Sequence, residues 1–145
     1  MKKAIFPGSF DPITIGHVDI INRGLHMFDE IIIAVGENSS KTNMFSLEER
    51  LKFITTAFKD DSRITVQSYQ GLTVDLCDTL NVSVILRGLR NTTDFEFEKS
   101  IANVNQAMTN VETVFLLSSP ITSHISSSIV REIIKNKGDY QNFVP

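Results

Sequence analysis

Three short stretches of the sequence combine residue types suited to holding phosphate. The first, Pro7-Gly8-Ser9-Phe10-Asp11-Pro12, runs into Thr14-Ile15-Gly16-His17 and sets an imidazole where a helix begins. A helix amino terminus offers free N–H groups and partial positive charge, and both suit an anion. Gly8 lets backbone approach a ligand and Ser9 supplies a hydroxyl. Taken alone, Gly16-His17 reads more readily as a capped turn with a solvent-facing histidine. The second stretch, Leu86-Arg87-Gly88-Leu89-Arg90, places two arginines around a glycine. Guanidinium groups match phosphate oxygens in a two-pronged geometry, although an ordinary surface loop tolerates two arginines equally well. The third, Ser123-His124-Ile125-Ser126-Ser127-Ser128, opens a helix with three successive serines. One serine is a routine cap; three favour an anion beside the free N–H groups.

Two further charges belong to the same group. Lys41 follows a strand on the same sheet edge, with a solvated lysine as the plain alternative. Glu98 shares a helix face with Ala102 and Asn105 by the i, i+4, i+7 rule and could take a ligand amine or hydroxyl, or merely solvate the helix. His26 and His124 have no partner at ligand spacing and read as structural or exposed.

The elements that must position these residues follow from period and punctuation. Ala4-Ile5-Phe6 is a short apolar run stopped by Pro7-Gly8, which predicts a buried first strand. From about His17, Val18, Ile21, Leu25 and Phe28 recur at helical spacing, and Glu30 to Val35 reads as a β-branched buried strand. Ser46 and Glu49 form a capping box ahead of Leu51, Ile54 and Phe58. Ile64 to Gln67 predicts a third strand, Val74 to Leu80 a short helix and Val82 to Leu86 a fourth strand. Thr93-x-x-Glu96 predicts a second capping box opening a helix to about Met108, and Thr113 to Leu117 a fifth strand. A last helix is expected from about Ser126 to Lys137, ended by Gly138. Strands alternating with helices imply an α/β, Rossmann-like fold: five parallel strands with helices on both faces and ligands beyond the carboxyl ends of the strands.

The 145 residues, 41% of them apolar, suit one domain with one sizeable core, and no repeat, linker or low-complexity segment suggests a second. Acidic side chains outnumber basic ones 17 to 14, so there is no excess positive charge to spread over a nucleic-acid backbone. Phosphate binding is therefore expected to be local, with neither nucleic acid nor membrane as partner. The lone Cys77, in an apolar stretch, is expected to pack as a small hydrophobe, as suits a reducing cytoplasm. The apolar run after Met1-Lys2-Lys3 breaks at Pro7-Gly8, too soon for a signal peptide or membrane span.

Together and in this order, the motifs resemble the nucleotidyltransferases that carry a Thr/His-x-Gly-His motif and a later Ile-Ser-Ser signature, here Thr14 to His17 and Ile125 to Ser128. Within them the chain resembles the bacterial phosphopantetheine adenylyltransferases over essentially its whole length. Pro7 to Pro12, Met44-Phe45-Ser46-Leu47-Glu48-Glu49-Arg50, Arg87 to Arg90 and Asp94-Phe95-Glu96-Phe97-Glu98 carry that likeness. The resemblance implies a single nucleotidyltransferase domain over residues 1–145. It also implies transfer of the adenylyl group of ATP to 4′-phosphopantetheine, giving dephospho-coenzyme A and pyrophosphate without a covalent enzyme intermediate. On that resemblance ATP would be held by Ser9, Phe10, His17, Gly88, Leu89, Arg90, Glu98, Thr122, Ser123, His124, Ile125, Ser126, Ser127 and Ser128. The acceptor would be held by Ser9, Lys41, Thr73, Arg87 and Asn105. His17 would be the main transition-state stabiliser, with Lys41 and Arg90 beside it. Magnesium with ATP, a homohexamer in the cytoplasm and feedback inhibition by coenzyme A are further implications, and no residue is assigned to the metal. Ser9 stands where the family more often has threonine, Thr122 where many relatives have an aromatic residue, and His124 where phenylalanine is common. Competing expectations are a cytidylyltransferase, a nicotinamide mononucleotide adenylyltransferase, or a nucleotide sensor without transfer activity.

Overall fold

A computed structural model of the chain describes residues 1–38 and 40–145. Five strands, β1 (Lys3–Gly8), β2 (Glu30–Gly36), β3 (Ile64–Tyr69), β4 (Val84–Leu89) and β5 (Glu112–Leu117), form one sheet in the order β3-β2-β1-β4-β5. Every described pairing is parallel. The connections carry α1 (Ile15–Gly24), α2 (Leu47–Ala57), α3 (Thr73–Leu80) and α4 (Thr92–Thr109), and α5 (Ser127–Lys135) follows the sheet.

The sheet separates two apolar clusters. On one side Ile20, Ile21 and Leu25 of α1 and Ile54 of α2 pack with Phe6, Ile31, Ile33, Val35 and Leu86. On the other, Cys77 of α3 packs with Ile5, Ile32, Ala34 and Ile85. Burial of both faces explains why β1 and β2 are apolar without interruption. The chain builds outward from β1 to β2 and β3, then returns to add β4 and β5 on the other side. This reversal leaves a crevice beyond the carboxyl ends of β1 and β4, where Gly8 and Leu89 end their strands.

The structure shifts several expected boundaries. β4 begins at Val84 and runs to Leu89, so Arg87, Gly88 and Leu89 belong to the strand and only Arg90 leaves it. Val82 instead closes the end of α3: Asn81 takes a left-handed turn and the Val82 N–H donates to Cys77 O. The parallel ladder continues through Arg87–Phe115, Gly88–Leu116 and Leu89–Leu117. The cap of α4 is Asn91, whose Oδ1 accepts from Asp94 N–H, so the expected Thr93–Glu96 box does not form. α5 stops at Lys135, and the left-handed residue beyond it is Lys137, not Gly138. Gly138 is needed for space, since a Cβ there would lie 2.9 Å from Ile133 Cγ2. The Ser46–Glu49 box at α2 forms as the spacing predicts.

Cys77 is buried, and its thiol is pushed up to about 11 by that burial and by the nearby charge of Asp78. Little thiolate exists at neutral pH, and thiolate is the reactive form. In the folded protein at pH 8, Cys77 should react with a disulfide reagent far more slowly than in denaturant. Fast labelling of the native state by absorbance assay would contradict this burial.

Candidate active site

The loop between β1 and α1 is held from every side. Asp11, itself buried, accepts the N–H groups of Met44 and Phe45 at 2.9 Å each. Arg50 Nη1 donates to Ser9 O at 2.8 Å and Gly36 O at 3.2 Å, tying the ends of β1 and β2 together. From α5, Arg131 Nη1 donates to Asp11 O and Ser127 Oγ to Pro12 O, both at 2.8 Å. Phe10, at φ 48°, sits in the left-handed region that an aromatic residue rarely adopts. Its ring is buried against Phe6 and lies 5.0 Å from the His17 ring, centroid to centroid.

His17 is the third residue of α1, and Thr14 is the cap. The Thr14 N–H donates to His17 Nδ1 at 2.9 Å, while the His17 N–H donates to Thr14 Oγ1 at 3.4 Å. The imidazole thus takes the place that glutamate or glutamine fills in a capping box. Because Nδ1 accepts, the neutral ring carries its proton on Nε2. Burial, then repulsion from Arg87 and Arg90, pushes the pKa of His17 down to about 4. At neutral pH His17 is therefore an uncharged donor.

Two clefts open around this loop. The smaller, about 320 Å³, is lined by Phe10, His17, Gly88, Arg90, Thr122, Ile125 and Ser126 to Ser128. The larger, about 910 Å³, is lined by Asn38, Asn43, Arg50, Thr73, Asn105 and Thr113 among others. Ser9, Lys41, Arg87 and Glu98 line both. Lys41 Nζ lies 3.0 Å from Ser9 Oγ across the common wall. Sequence-distant motifs thus meet on one side of the molecule. Leu89, buried in β4, and Ser123 and His124, on the turn before α5, line neither cleft.

Several side chains have partners that their sequence does not reveal. Arg87 gives Nε–H and Nη2–H to both carboxylate oxygens of Glu98 and Nη1–H to Pro7 O. Three of its five donors are committed, leaving two. Arg90 gives two side-chain donors to Asp94 and keeps three. Glu98 is thus held by Arg87 in this structure, while Ala102 and Asn105 on the same helix face line the larger cleft. All three serine hydroxyls have internal partners: Ser126 caps Ile129 N–H, Ser127 meets Pro12 O and Ser128 accepts from Arg131. The attraction for an anion therefore falls to the N–H groups of Ser127 and Ser128 in the first turn of α5, which have no intrahelical acceptor. Gly88 leaves room for Ile20 of α1, 3.0 Å from where a Cβ would stand, and Gly8 leaves room for the Phe10 ring at 3.1 Å. Both glycines thus serve packing, and both also line the smaller cleft.

Sequence reading passed over Arg131 and quoted Asp94, Asp11 and Arg50 only as parts of motifs, with no role in the site. Arg131 and Asp94 line the smaller cleft, Arg50 lines the larger, and Asp11 anchors the loop between them. For Arg131, its place one turn after the serines on α5 was the available signal.

The sequence pattern of the cytidylyltransferase-like family matches residues 5–133. A phosphopantetheine adenylyltransferase of Flavobacterium psychrophilum is 59% identical over 145 residues, spanning 100% of this chain and 96% of that one. Another, from Bacteroides thetaiotaomicron, is 43% identical with the same coverage of both chains. A third, from Geobacter metallireducens, is 47% identical over 99% of this chain and 89% of its own length. Among solved structures, a bifunctional NMN adenylyltransferase/ADP ribose pyrophosphatase from Francisella tularensis superposes with a TM-score of 0.72 at 15% identity. The match covers 99% of this chain but only 44% of that one, and at such identity it speaks to the fold alone.

The depressed pKa of His17 makes stability depend on pH. Above about pH 6.5 the ring is neutral folded or unfolded and costs nothing. As pH falls from 6.5 to about 4, the unfolded chain takes up a proton that the folded site refuses, so stability is lost across that window. His17→Gln, which can still close the cap, should flatten part of that fall in a series of thermal melts. Nitrogen NMR should show the Nε2–H tautomer and no titration of His17 between pH 6 and 8; an imidazolium near pH 6.5 would refute the assigned state.

Proposed function

The chain belongs to the phosphopantetheine adenylyltransferases of the cytidylyltransferase-like family, and on that premise we propose that it adenylylates 4′-phosphopantetheine with ATP, releasing pyrophosphate. The observation that carries this reading is the common wall of two clefts, where Ser9, Lys41 and Arg87 face both. A reaction between two phosphate-bearing substrates needs two such volumes meeting at a cationic boundary.

In this reading ATP occupies the smaller cleft, its phosphates against His17, Arg90 and the start of α5, and the acceptor extends through the larger. An oxygen of the acceptor phosphate attacks the α-phosphorus of ATP; the bond to the α–β bridging oxygen breaks and pyrophosphate leaves. The attacking oxygen is already anionic, so alignment and charge stabilisation replace proton removal. His17 Nε2–H, held in place by Thr14, donates to an oxygen on which charge grows. A neutral donor suits this task because it need not lose a proton between binding and transfer. Lys41 and the free donors of Arg87 and Arg90 supply positive charge at the junction.

The described residues include no group of three His, Cys, Asp or Glu side chains placed to hold a metal ion. Magnesium enters this scheme with ATP, as the family resemblance implies. No helix among the described residues is long and apolar enough to cross a membrane. We place the reaction in the cytoplasm, as one domain per chain, with coenzyme A as a candidate feedback ligand of the acceptor cleft. Self-association, to a hexamer by family resemblance, is supported by α4, which exposes Phe97, Ile101, Val104 and Met108. Sedimentation equilibrium should give a species above the monomer mass; a monomer at micromolar concentration would remove the oligomer from this proposal.

Purified protein with ATP, magnesium and 4′-phosphopantetheine should release pyrophosphate. Turnover with CTP or nicotinamide mononucleotide, and none with this mixture, would overturn the substrate assignment. His17→Ala should lower turnover at least about a hundredfold with ATP binding largely kept, as for loss of one oxyanion donor. Bound ATP without turnover in the unmutated protein would instead point to a sensor.

A further inference from the structure

Among the described residues, three buried side-chain polar atoms have no hydrogen-bond partner: Asn43 Oδ1, Arg50 Nε and Thr113 Oγ1. All three residues line the larger cleft. Unpartnered buried polar atoms are uncommon, and their gathering in one cleft points to ligand groups that complete them.

The cleft touches all five strands, through Tyr69, Gly36, Gly8, Arg87 and Thr113. Arg50 lies at its cationic end, since its guanidinium holds Ser9 O beside Lys41. Thr113 lies on β5, two strands away from β1 and level with Ile5, four residues before Ser9, so it stands roughly 10 Å across the sheet and roughly 13 Å along it at ordinary strand spacing. That distance is beyond a phosphate anchored at Ser9 and Lys41, but within reach of a chain attached to it.

Side chains alternate along β5. Val114 and Leu116 pack into the cluster on the α1 and α2 side, so Thr113 and Phe115 face α4, where the Phe115 ring meets that of Phe95. Thr113 pairs in register with the buried Ile85. Ile85, Ile101, Ala102 and Asn105 complete this end of the cleft, and none carries a charge. A hydroxyl both donates and accepts, so in this apolar setting it suits an uncharged polar group such as an amide.

We propose that Thr113 is a specificity-determining residue whose hydroxyl binds an amide in the arm of the phosphorylated acceptor, opposite Asn105. This rests on the acceptor assignment above and extends it from the phosphate to the uncharged chain. An acceptor phosphate without a matching amide leaves the Thr113 hydroxyl unpaired and is disfavoured for that reason.

Thr113→Val keeps the shape and the β-branched backbone preference while removing the hydroxyl. The expected result is a KM for 4′-phosphopantetheine raised about three- to tenfold, with kcat and the KM for ATP within about twofold of the unmutated protein. The melting temperature should hold or rise, because an apolar isostere replaces an unpartnered polar group. Thr113→Ser, which restores the hydroxyl, should return the KM toward its original value. An unmoved KM in Thr113→Val, or a fall in melting temperature showing that the hydroxyl had a structural partner, would overturn the proposal. Failure of the unmutated protein to use 4′-phosphopantetheine would overturn the parent assignment and this inference with it.

Discussion

The paired hydrogen bonds between Thr14 and His17 constrain the site more than any other contact. They begin α1, fix the ring's orientation and dictate which nitrogen bears the proton. An imidazolium has no lone pair to offer Thr14 N–H, so protonation would open the helix cap as well as change the charge. Burial against Phe10 and the proximity of two arginines disfavour the charged ring further. Helix initiation and the chemical state of the imidazole are therefore one condition.

That condition holds only while the preceding loop keeps its path, and the path is determined from outside. Arg50, Arg131 and Ser127 donate to its carbonyls, and Asp11 reaches across to the backbone at Met44 and Phe45. These ties come from α2, α5 and the segment after β2, so the sheet order has a direct chemical effect. Because β1 lies between β2 and β4, its carboxyl end is within reach of elements added on both sides. The unfavourable φ of Phe10 is sustained by this surrounding network.

Much of this was legible in the sequence. Uninterrupted β-branched runs such as Glu30 to Val35 require burial on both faces, and Ser46 with Glu49 announces a helix start through local hydrogen bonding alone. Errors gathered where tertiary contacts decide the outcome. Gly88 looks like the end of a strand but continues one, because Leu116 pairs with it and Ile20 needs its empty side. Asn91 competes with Thr93 for the same cap, and local spacing does not choose between them. The meeting of Lys41 with Ser9 follows from topology and was legible, as was a serine cap on α5; the engagement of Arg87 by Glu98, of Ser127 by Pro12 and of Ser128 by Arg131 was not. Such partners depend on rotamers and on chains distant in sequence.

The two-oxygen grip of Glu98 on Arg87 offsets part of the positive charge at the junction between the clefts. A carboxylate already in place competes with every newcomer, and it is present at an effective concentration no dissolved ion matches. Inorganic phosphate and other small metabolite anions abundant in a cell have only their charge with which to displace it. The donors that Glu98 leaves free on Arg87 stay open to any anion, so a larger substrate outdoes the ionic background only through the contacts it makes elsewhere.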